Sequence, residues 1–333
     1  MPSRFAVRRT RMAAAALGLA ALVSGCAATT TSSGTARSTT NDPPTGAGSS
    51  GSPVALSVST PTSTPTLTPA TPAPVTPATA GLRPPPGLAW KPVAGSPALA
   101  LASLDGGAVS LLWMDPSRLQ FRYVPGTSVP ERSPASAADN TPATWVSRMV
   151  AAFNGGFMLK DHVGGYYYLG RTVEPLRTGD AAFVVSKTGT MSVGVWGRDL
   201  HLTSSVLVVR ENLRPLVDHG VAMARPSDGP TAWGIANGNL PRANRSALGQ
   251  LPNGSLVFAY GANVLASTMA TSLVRAGATE AVMLDMNISW PTGFTYSHVG
   301  GHLLGSKINY HVVRSPSTYY ARFRKDFVAV LAR

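Results

Sequence analysis

The composition of the chain changes abruptly near residue 87, and this change limits which part of the chain can fold. Residues 27–86 consist mainly of Thr, Ser, Pro, Ala and Gly, with almost no aromatic or large aliphatic side chain. Such a segment cannot bury enough apolar surface to offset the entropy that is lost on ordering. We therefore expect residues 27–86 to be a disordered tether and residues 87–333 to form one compact domain.

The first 26 residues have the layout of a bacterial lipoprotein signal. Several arginines precede an uncharged stretch, residues 12–23, that is rich in Ala and Leu and too short to span a bilayer. The stretch leads into Ser24-Gly25-Cys26, which resembles a lipobox, and Cys26 is the only cysteine of the chain. We expect lipid on Cys26 to anchor the protein at the outer face of the cytoplasmic membrane or in the cell envelope. The alternatives are an ordinary secretory signal and twin-arginine export.

The remaining residues predict an α+β fold of mixed, mainly antiparallel β-sheets with a few covering helices. The pairs Gly106-Gly107, Thr188-Gly189 and Asn253-Gly254 lie between apolar runs, as hairpin turns do. Two helices are predicted over residues 139–149 and 264–276, and the second is followed by a glycine. Apolar periodicity predicts strands at residues 98–104, 108–114, 119–124, 150–153, 166–169, 181–186, 190–195, 205–209, 255–260 and 280–285.

Three short motifs, far apart in the sequence, contain the side chains best suited to chemistry. Residues 151–157 read Ala-Ala-Phe-Asn-Gly-Gly-Phe, residues 244–249 read Asn-Arg-Ser-Ala-Leu-Gly, and residues 281–289 read Ala-Val-Met-Leu-Asp-Met-Asn-Ile-Ser. In this order and spacing, the motifs resemble those of the phosphodiester glycosidase family. The chain departs from the family pattern at Met286 and Asn287, where the family has two glycines, so it resembles a divergent subgroup.

The resemblance implies a hydrolase that cleaves the glycosidic bond of a sugar 1-phosphodiester in an envelope glycopolymer or exopolysaccharide. It implies catalytic roles for Asp285, Arg245 and Asn154. His219, in a predicted turn, is a further polar candidate on its residue type alone. The residues predicted to bind substrate are Gly155, Gly156, Ser246, Asn287, Ser289 and His219.

Elementary chemistry is consistent with these roles, and it also leaves structural alternatives. Asp285 ends an apolar strand, where a carboxylate is costly to desolvate unless it is paired. Arg245 could hold both free oxygens of a phosphodiester, or it could form a structural salt bridge with Asp285. Residues 154–156 could bring backbone N–H groups close to an anion, or they could form a simple turn. If Met286 requires a positive φ, it costs about 1–2 kcal/mol there.

Composition narrows the possible partners. The formal net charge is +13. The predominance of arginine among the basic residues suits phosphate-bearing polymers, although general basicity is an equal alternative. No nucleic-acid motif is present, and the histidines lack metal-ligand spacing, so we expect no nucleic acid, metal or cofactor. The rival hypothesis is a non-catalytic module of the same fold, which binds glycans or proteins during envelope or exopolysaccharide assembly. The sequence leaves the oligomeric state open.

Overall fold

The structure is a computed structural model that describes residues 81–134, 141–235 and 238–333. The predicted signal, the predicted lipidation site at Cys26 and most of the predicted tether lie outside the described residues. Within the described ranges, no helix combines the length and the apolar character needed to cross a membrane.

The described residues form strands β1 to β18 and two α-helices. The helices are α1 (Ala143–Val146) and α2 (Ala266–Arg275). The strands are β1 (Lys91–Val93), β2 (Ser96–Leu104), β3 (Val109–Met114), β4 (Leu119–Val124), β5 (Met149–Asn154), β6 (Tyr166–Tyr168), β7 (Arg171–Glu174), β8 (Ala181–Ser186), β9 (Met191–Val195), β10 (Val206–Glu211), β11 (Val217–Asp218), β12 (Val221–Ala222), β13 (Ala243–Gln250), β14 (Leu256–Val264), β15 (Glu280–Met286), β16 (Gly293–Val299), β17 (His302–Lys307) and β18 (Phe327–Ala332).

The strands assemble into three sheets whose strand pairs are antiparallel. The large sheet has eight strands in the order β1-β2-β3-β14-β13-β15-β11-β12. The β8 sheet has five strands in the order β7-β6-β10-β8-β9, and the β5 sheet has five in the order β17-β16-β5-β18-β4. The described residues thus form one compact α+β domain of mainly antiparallel sheets, which confirms the predicted fold class.

Side-chain alternation along the large sheet gives it two buried faces. Leu248 and Phe258 point to one face, where they join the core shared with the β5 and β8 sheets. Ala247 and Val257 point to the other face, where they pack beneath Leu273 of α2. The large sheet is therefore the central layer, and residues at the end of β15 can reach either side of it.

Periodicity located most of the core strands, and helix α2 confirms the predicted helix 264–276, which stops at Gly277 with a φ of +86°. The predicted helix 139–149 is wrong, because the described part is helical only over α1 and Met149 already begins β5. β5 lies between β16 and β18, so its pairing outweighs the local helical signal. The strands that pair with β5, β16 and β18, had not been predicted from the sequence.

The folded part begins upstream of Gly87. The backbone N–H of Leu82 donates a hydrogen bond of 2.9 Å to Oδ2 of Asp115, and Nε1 of Trp90 donates one of 3.0 Å to the carbonyl of Pro85. These contacts fix residues 81–86, which the composition alone assigned to the tether, against the domain.

Glu211 on β10 is a buried carboxyl that should make stability depend on pH. Its side chain is 1% exposed and accepts hydrogen bonds from the backbone N–H groups of Gly165 (2.8 Å) and Arg177 (2.9 Å). Burial, partly opposed by these bonds, raises the pKa of Glu211 to about 7 from 4.5. Because the folded pKa exceeds the unfolded one, this stabilising contribution is full below the unfolded pKa and is lost as pH rises towards 7.

We expect the wild type to lose on the order of 3 kcal/mol of unfolding free energy between pH 4.5 and 8 through Glu211, at about 1.4 kcal/mol per pKa unit. Glu211→Gln should remove most of this loss, because the amide oxygen can still accept both backbone bonds. Urea unfolding at the two pH values measures the difference, with Glu174→Gln as a surface control. An equal loss in Glu211→Gln would contradict the assignment.

Candidate functional site at the end of β15

A β-bulge decides where the Asp285 side chain points. Ser246 of β13 lies opposite Asp285, whereas the next residue of β13, Ala247, lies opposite Met283, so Leu284 is the extra residue of the bulge. A bulge interrupts the alternation of side chains along a strand. Leu284 and Asp285 therefore both face the core shared with the β5 sheet, and Met286 faces the α2 side.

On that face, Asp285 forms a buried ion pair with Lys325, which lies just before β18. The two residues are 3% and 2% exposed. Burial lowers the pKa of Lys325 to about 8, and the adjacent Asp326 carboxylate opposes this shift. Charges buried this deeply persist only when they are paired. The sequence-based expectation that Asp285 needs a partner is met, but the partner is Lys325.

Three cationic side chains converge on Trp290, in the loop that follows β15. The guanidinium carbons of Arg314 and Arg324 lie 4.6 Å and 5.6 Å from the centroid of the ring, and Nζ of Lys325 lies 5.5 Å from it. Arg314 is also fixed by a 3.0 Å hydrogen bond from Nε to the carbonyl of Ser289. Among the residues that the structure describes, neither Arg314 nor Arg324 has a carboxylate partner.

This cationic aromatic site, defined by Trp290, Arg314, Arg324 and the Lys325–Asp285 pair, has the chemistry of an anionic-sugar site. The Trp290 ring is half-buried and Arg324 is exposed. An indole face can stack on a sugar ring, and guanidinium groups bind phosphate or carboxylate oxygens. Arg314 and Arg324, which have no carboxylate partner in the described part of the chain, therefore suit a ligand that carries negative charge and a face that can stack on the ring.

Asn154 is buried and fixes the loop that follows β5. Its Oδ1 accepts a hydrogen bond of 2.9 Å from the N–H of Thr292, and its Nδ2 donates one of 2.8 Å to the carbonyl of Gly155. Asn154 is 0% exposed, and its register partner on β18 is Phe327, two residues after Lys325. Asn154 thus connects the β5 loop to the residues that precede β16, close in the fold to the Lys325–Asp285 pair.

The two glycines after Asn154 are needed for the close approach of buried polar side chains. A Cβ on Gly155 would lie 2.2 Å from Oδ2 of Asp326, and a Cβ on Gly156 would lie 2.6 Å from the side-chain amide of Asn212. The sequence predicted a close approach of this loop to an anion. In the structure, the anion next to the glycines is the protein's own Asp326.

Asp326 forms a second buried ion pair, which supports the glycine loop. Its Oδ2 accepts hydrogen bonds from Tyr123 Oη (3.0 Å), Arg210 Nε (3.2 Å) and the N–H of Gly156 (3.3 Å). Arg210 also donates to the carbonyl of Phe157 at 2.6 Å. Sequence reasoning missed both Lys325 and Asp326. The available signal was a pair of charges placed immediately before the apolar run of β18.

Arg245 is where the structure departs most from the predicted site. It is 2% exposed and donates hydrogen bonds to the carbonyls of Pro241 (3.0 Å), Val264 (3.2 Å) and Trp233 (3.3 Å). Its Nη1 also contacts Sδ of Met286 at 3.3 Å, on the α2 side of the sheet. Burial lowers the pKa of Arg245 to about 10.

Arg245 and Asp285 therefore point to opposite faces of the large sheet, since Asp285 faces Lys325 and Arg245 contacts Met286. The resemblance gives catalytic roles to Asn154, Arg245 and Asp285, which requires that they line one cleft, and the structure corrects this expectation. It also excludes the alternative salt bridge between Arg245 and Asp285. The physical reason for the opposite orientations is the bulge at Leu284, which could not be predicted from any pattern in the sequence.

Met286 and Asn287 occupy the family's glycine positions without backbone strain. Their φ angles are not positive, so the cost considered for Met286 does not arise. The side chain of Met286 is 2% exposed and packs near Phe157 and Gly234 on the α2 side. Oδ1 of Asn287 accepts a hydrogen bond of 3.1 Å from the N–H of Ser289 and so stabilises the loop that carries Trp290.

The other two predicted substrate-binding residues differ in position. Ser246 is fully buried opposite Asp285, and its Oγ has no hydrogen-bond partner in the described part of the chain. His219 is 71% exposed and lies beside Glu280, at the opposite end of β15 from Asp285. The structure therefore brings Ser246 to the buried pair and leaves His219 away from it.

His219, Asp218 and Glu280 form a cluster whose ligand atoms lie within 4.8 Å of one another. Arg198 binds both carboxylates of this cluster, Asp218 at 2.8 Å and Glu280 at 3.1 Å, and it also binds Asp199 at 2.7 Å.

Comparisons with known proteins yield fold similarity alone. No protein-family model matches the chain, and a search of curated proteins found no match. Among solved structures, the chain is similar to the catalytic domain of zebrafish N-acetylglucosamine-1-phosphodiester alpha-N-acetylglucosaminidase, auto-inhibited by its pro-peptide, with 16% identity and a TM-score of 0.41 over 72% of this chain and 85% of that chain. It is also similar to a hypothetical protein from Synechocystis, with 14% identity and a TM-score of 0.38 over 74% of this chain and 64% of that chain. Similarity at this level gives no information on activity.

Proposed function

We propose that this protein is a lipid-anchored, extracytoplasmic hydrolase that cleaves a sugar 1-phosphodiester bond in an envelope glycopolymer. The observation that carries the proposal is the cationic aromatic site, in which Arg314, Arg324 and Lys325 converge on Trp290 next to a buried carboxylate. A phosphate-bearing sugar can stack on the Trp290 ring and bind the guanidinium groups of Arg314 and Arg324 at the same time. The anchoring and the location follow from the lipobox at Cys26 and belong to the same proposal.

In the proposed reaction, each group of the site has a separate task. The sugar stacks on Trp290, and the phosphodiester oxygens bind Arg314 and Arg324. Asp285 takes a proton from a water molecule, whose oxygen attacks the anomeric carbon while the bond between that carbon and the phosphate oxygen breaks. Lys325 turns from Asp285 towards the phosphomonoester, which leaves with the electron pair of that bond. Because a phosphate leaving group is weakly basic, the need for a second carboxylate as general acid is relaxed.

Asp285 is 3% exposed, so the proposed reaction requires the Trp290 loop to move when substrate binds. In this proposal Arg245 has a supporting role, because it lies on the opposite face of the large sheet from Asp285. It holds the end of β15 through Met286 and the carbonyls of Val264 and Trp233, and it does not bind phosphate.

The burial of Asp285 also favours a second candidate function, binding of phosphorylated glycans without cleavage. Both functions use Trp290 and its cations, but only hydrolysis uses the carboxylate. Incubating the purified full chain with a panel of sugar 1-phosphodiesters separates them. Release of free sugar and a phosphomonoester supports the hydrolase, whereas saturable binding without release supports the binding module.

We expect Trp290→Ala and Arg314→Gln each to weaken binding of a phosphorylated glycan about tenfold or more. The reason is that one loses the stacking face and the other loses a charge-assisted hydrogen bond worth about 1.5–3 kcal/mol. Isothermal titration measures the effect. Trp145→Ala is the matched control, because Trp145 also lies beside an arginine, with Arg122 5.7 Å from its ring centroid. If all three variants bind like the wild type, the cationic aromatic site is not the glycan site.

A further inference from the structure

A cavity of about 390 Å³ lies where the ends of β13 and β14 meet the loop after β15. Its walls include Arg242, Asn263, Asn287 and Ile288, and the residues of the cationic aromatic site do not line it. The volume lies in the range of small-molecule sites, which are mostly apolar with a few polar groups. The function proposed above assigns no task to this cavity.

The framework of the cavity is fixed by Asn244, whose side-chain oxygen and nitrogen each form a hydrogen bond. Its Oδ1 accepts a hydrogen bond of 3.0 Å from the N–H of Asn263, and its Nδ2 donates one of 3.1 Å to the carbonyl of Ile288. These bonds tie β13, β14 and the loop together around the opening. The walls are therefore held in place before any ligand arrives.

Two large aliphatic side chains border this cavity while exposed to solvent. Ile288 is 75% exposed and Leu240 is 60% exposed. A single exposed aliphatic residue is ordinary on a protein surface, but two of them on the walls of one cavity form an apolar surface that a ligand can cover.

The polar side of the cavity has unused donors. Among the residues that the structure describes, Arg242 has no carboxylate partner, and its one hydrogen bond is a long contact of 3.4 Å to the carbonyl of Asn263. Nδ2 of Asn287 likewise has no partner in this part of the chain, since the side-chain contacts of Asn287 use Oδ1. A guanidinium and an amide N–H₂ together select an anionic oxygen group.

We propose that this cavity binds an anionic amphiphile, with an alkyl chain between Leu240 and Ile288 and a phosphate head on Arg242 and Asn287. A neutral sugar would leave Arg242 without a counter-charge, and a free phosphate would leave the aliphatic walls in water. Only a ligand with both an alkyl chain and an anionic head covers the aliphatic walls and also gives Arg242 a counter-charge. This binding requires no hydrolysis, because no residue of the cationic aromatic site lines the cavity. Asn287 and Ile288 precede Trp290 on the same loop, so binding to the cavity is measured in the absence of glycan.

Octyl phosphate is the probe that tests this proposal, with inorganic phosphate and octyl glucoside as the two half-probes. The protein is the full chain with Cys26→Ser, so that no lipid on Cys26 competes. Isothermal titration below the micelle concentration should show one octyl phosphate site per chain, at least tenfold tighter than either half-probe. Octyl glucoside binding as tightly as octyl phosphate would overturn the proposal.

Two variants on the walls locate the site. Ile288→Asp should abolish octyl phosphate binding, and Arg242→Gln should weaken it at least tenfold while leaving octyl glucoside unchanged. Both side chains are exposed, so folding should persist, which circular dichroism checks. Val313→Asp is the matched control, since Val313 is also 60% exposed but does not line the cavity. Unchanged octyl phosphate binding in Ile288→Asp would place the ligand elsewhere and refute the proposal.

Discussion

Replacing Lys325 with methionine is expected to lower the unfolding free energy by about 3–5 kcal/mol, because it leaves a buried carboxylate without its counter-charge. Asp285 is 3% exposed and its ion pair is with Lys325, so water cannot replace the lost ammonium without opening the core. Urea unfolding followed by tryptophan fluorescence measures the change. Lys160→Met, at an exposed lysine, is the control and should change stability by about 0.5 kcal/mol or less.

The double variant Lys325→Met with Asp285→Leu separates loss of pairing from loss of packing. A buried ion pair replaced by apolar side chains of similar volume is often neutral or stabilising. The double variant should therefore recover most of the stability that Lys325→Met loses. If the two substitutions destabilise additively, the two side chains do not depend on each other and the pair does not organise the site.

Gly155→Ala should be as damaging, since its new Cβ would lie 2.2 Å from Oδ2 and 2.4 Å from the carboxyl carbon of Asp326. The carboxylate would have to leave Tyr123 and Arg210, and Arg210, 1% exposed, would then be a buried cation without a carboxylate. We expect a loss of about 3 kcal/mol or more, or failure to fold.

Gly229→Ala is the matched control for this substitution. A Cβ on Gly229 meets nothing within 4 Å, and its φ is not positive. Alanine there should be neutral or slightly stabilising, because it restricts the unfolded chain. Thermal unfolding measures the melting temperatures of Gly155→Ala and Gly229→Ala, and that of Gly155→Ala should be the lower. Equal melting temperatures would show that Asp326 is free to move away from the glycine loop.

Local patterns in the sequence were sufficient for the strands that carry the core and for helix α2. The run Glu280–Leu284 is apolar after its first residue and predicted a buried strand that ends at Asp285, and β15 confirms it. The residue pairs that contain glycine and lie between apolar runs predicted hairpin turns. Gly106, Gly189 and Gly254 have the positive φ values that such turns need. These features depend on neighbouring residues, so a single sequence contains them.

The arrangement of the site depends on contacts between distant residues, which local patterns do not encode. Asp285 was predicted to need a partner, but the choice of Lys325 depends on how β18 packs against the large sheet. Arg245 was assigned a catalytic role beside Asp285 because of the resemblance to the phosphodiester glycosidase family, and regular alternation would have placed the two side chains on one face. The bulge at Leu284 reverses that alternation, and it is visible only in the register of β15 against β13.

Turnover of a sugar 1-phosphodiester by the full chain decides between hydrolysis and binding. We expect the wild type to release a phosphomonoester from at least one member of the panel. Asp285→Asn leaves Lys325 without its carboxylate and should lower the unfolding free energy as well, so it is assayed at a temperature where circular dichroism shows it folded and glycan binding persists. Under those conditions it should lower the rate about 10²–10⁴-fold, and Asp180→Asn should behave as the wild type. If the wild type binds phosphorylated glycans through Trp290 but releases product from none of them, Asp285 is a structural partner of Lys325 and the protein is not a hydrolase.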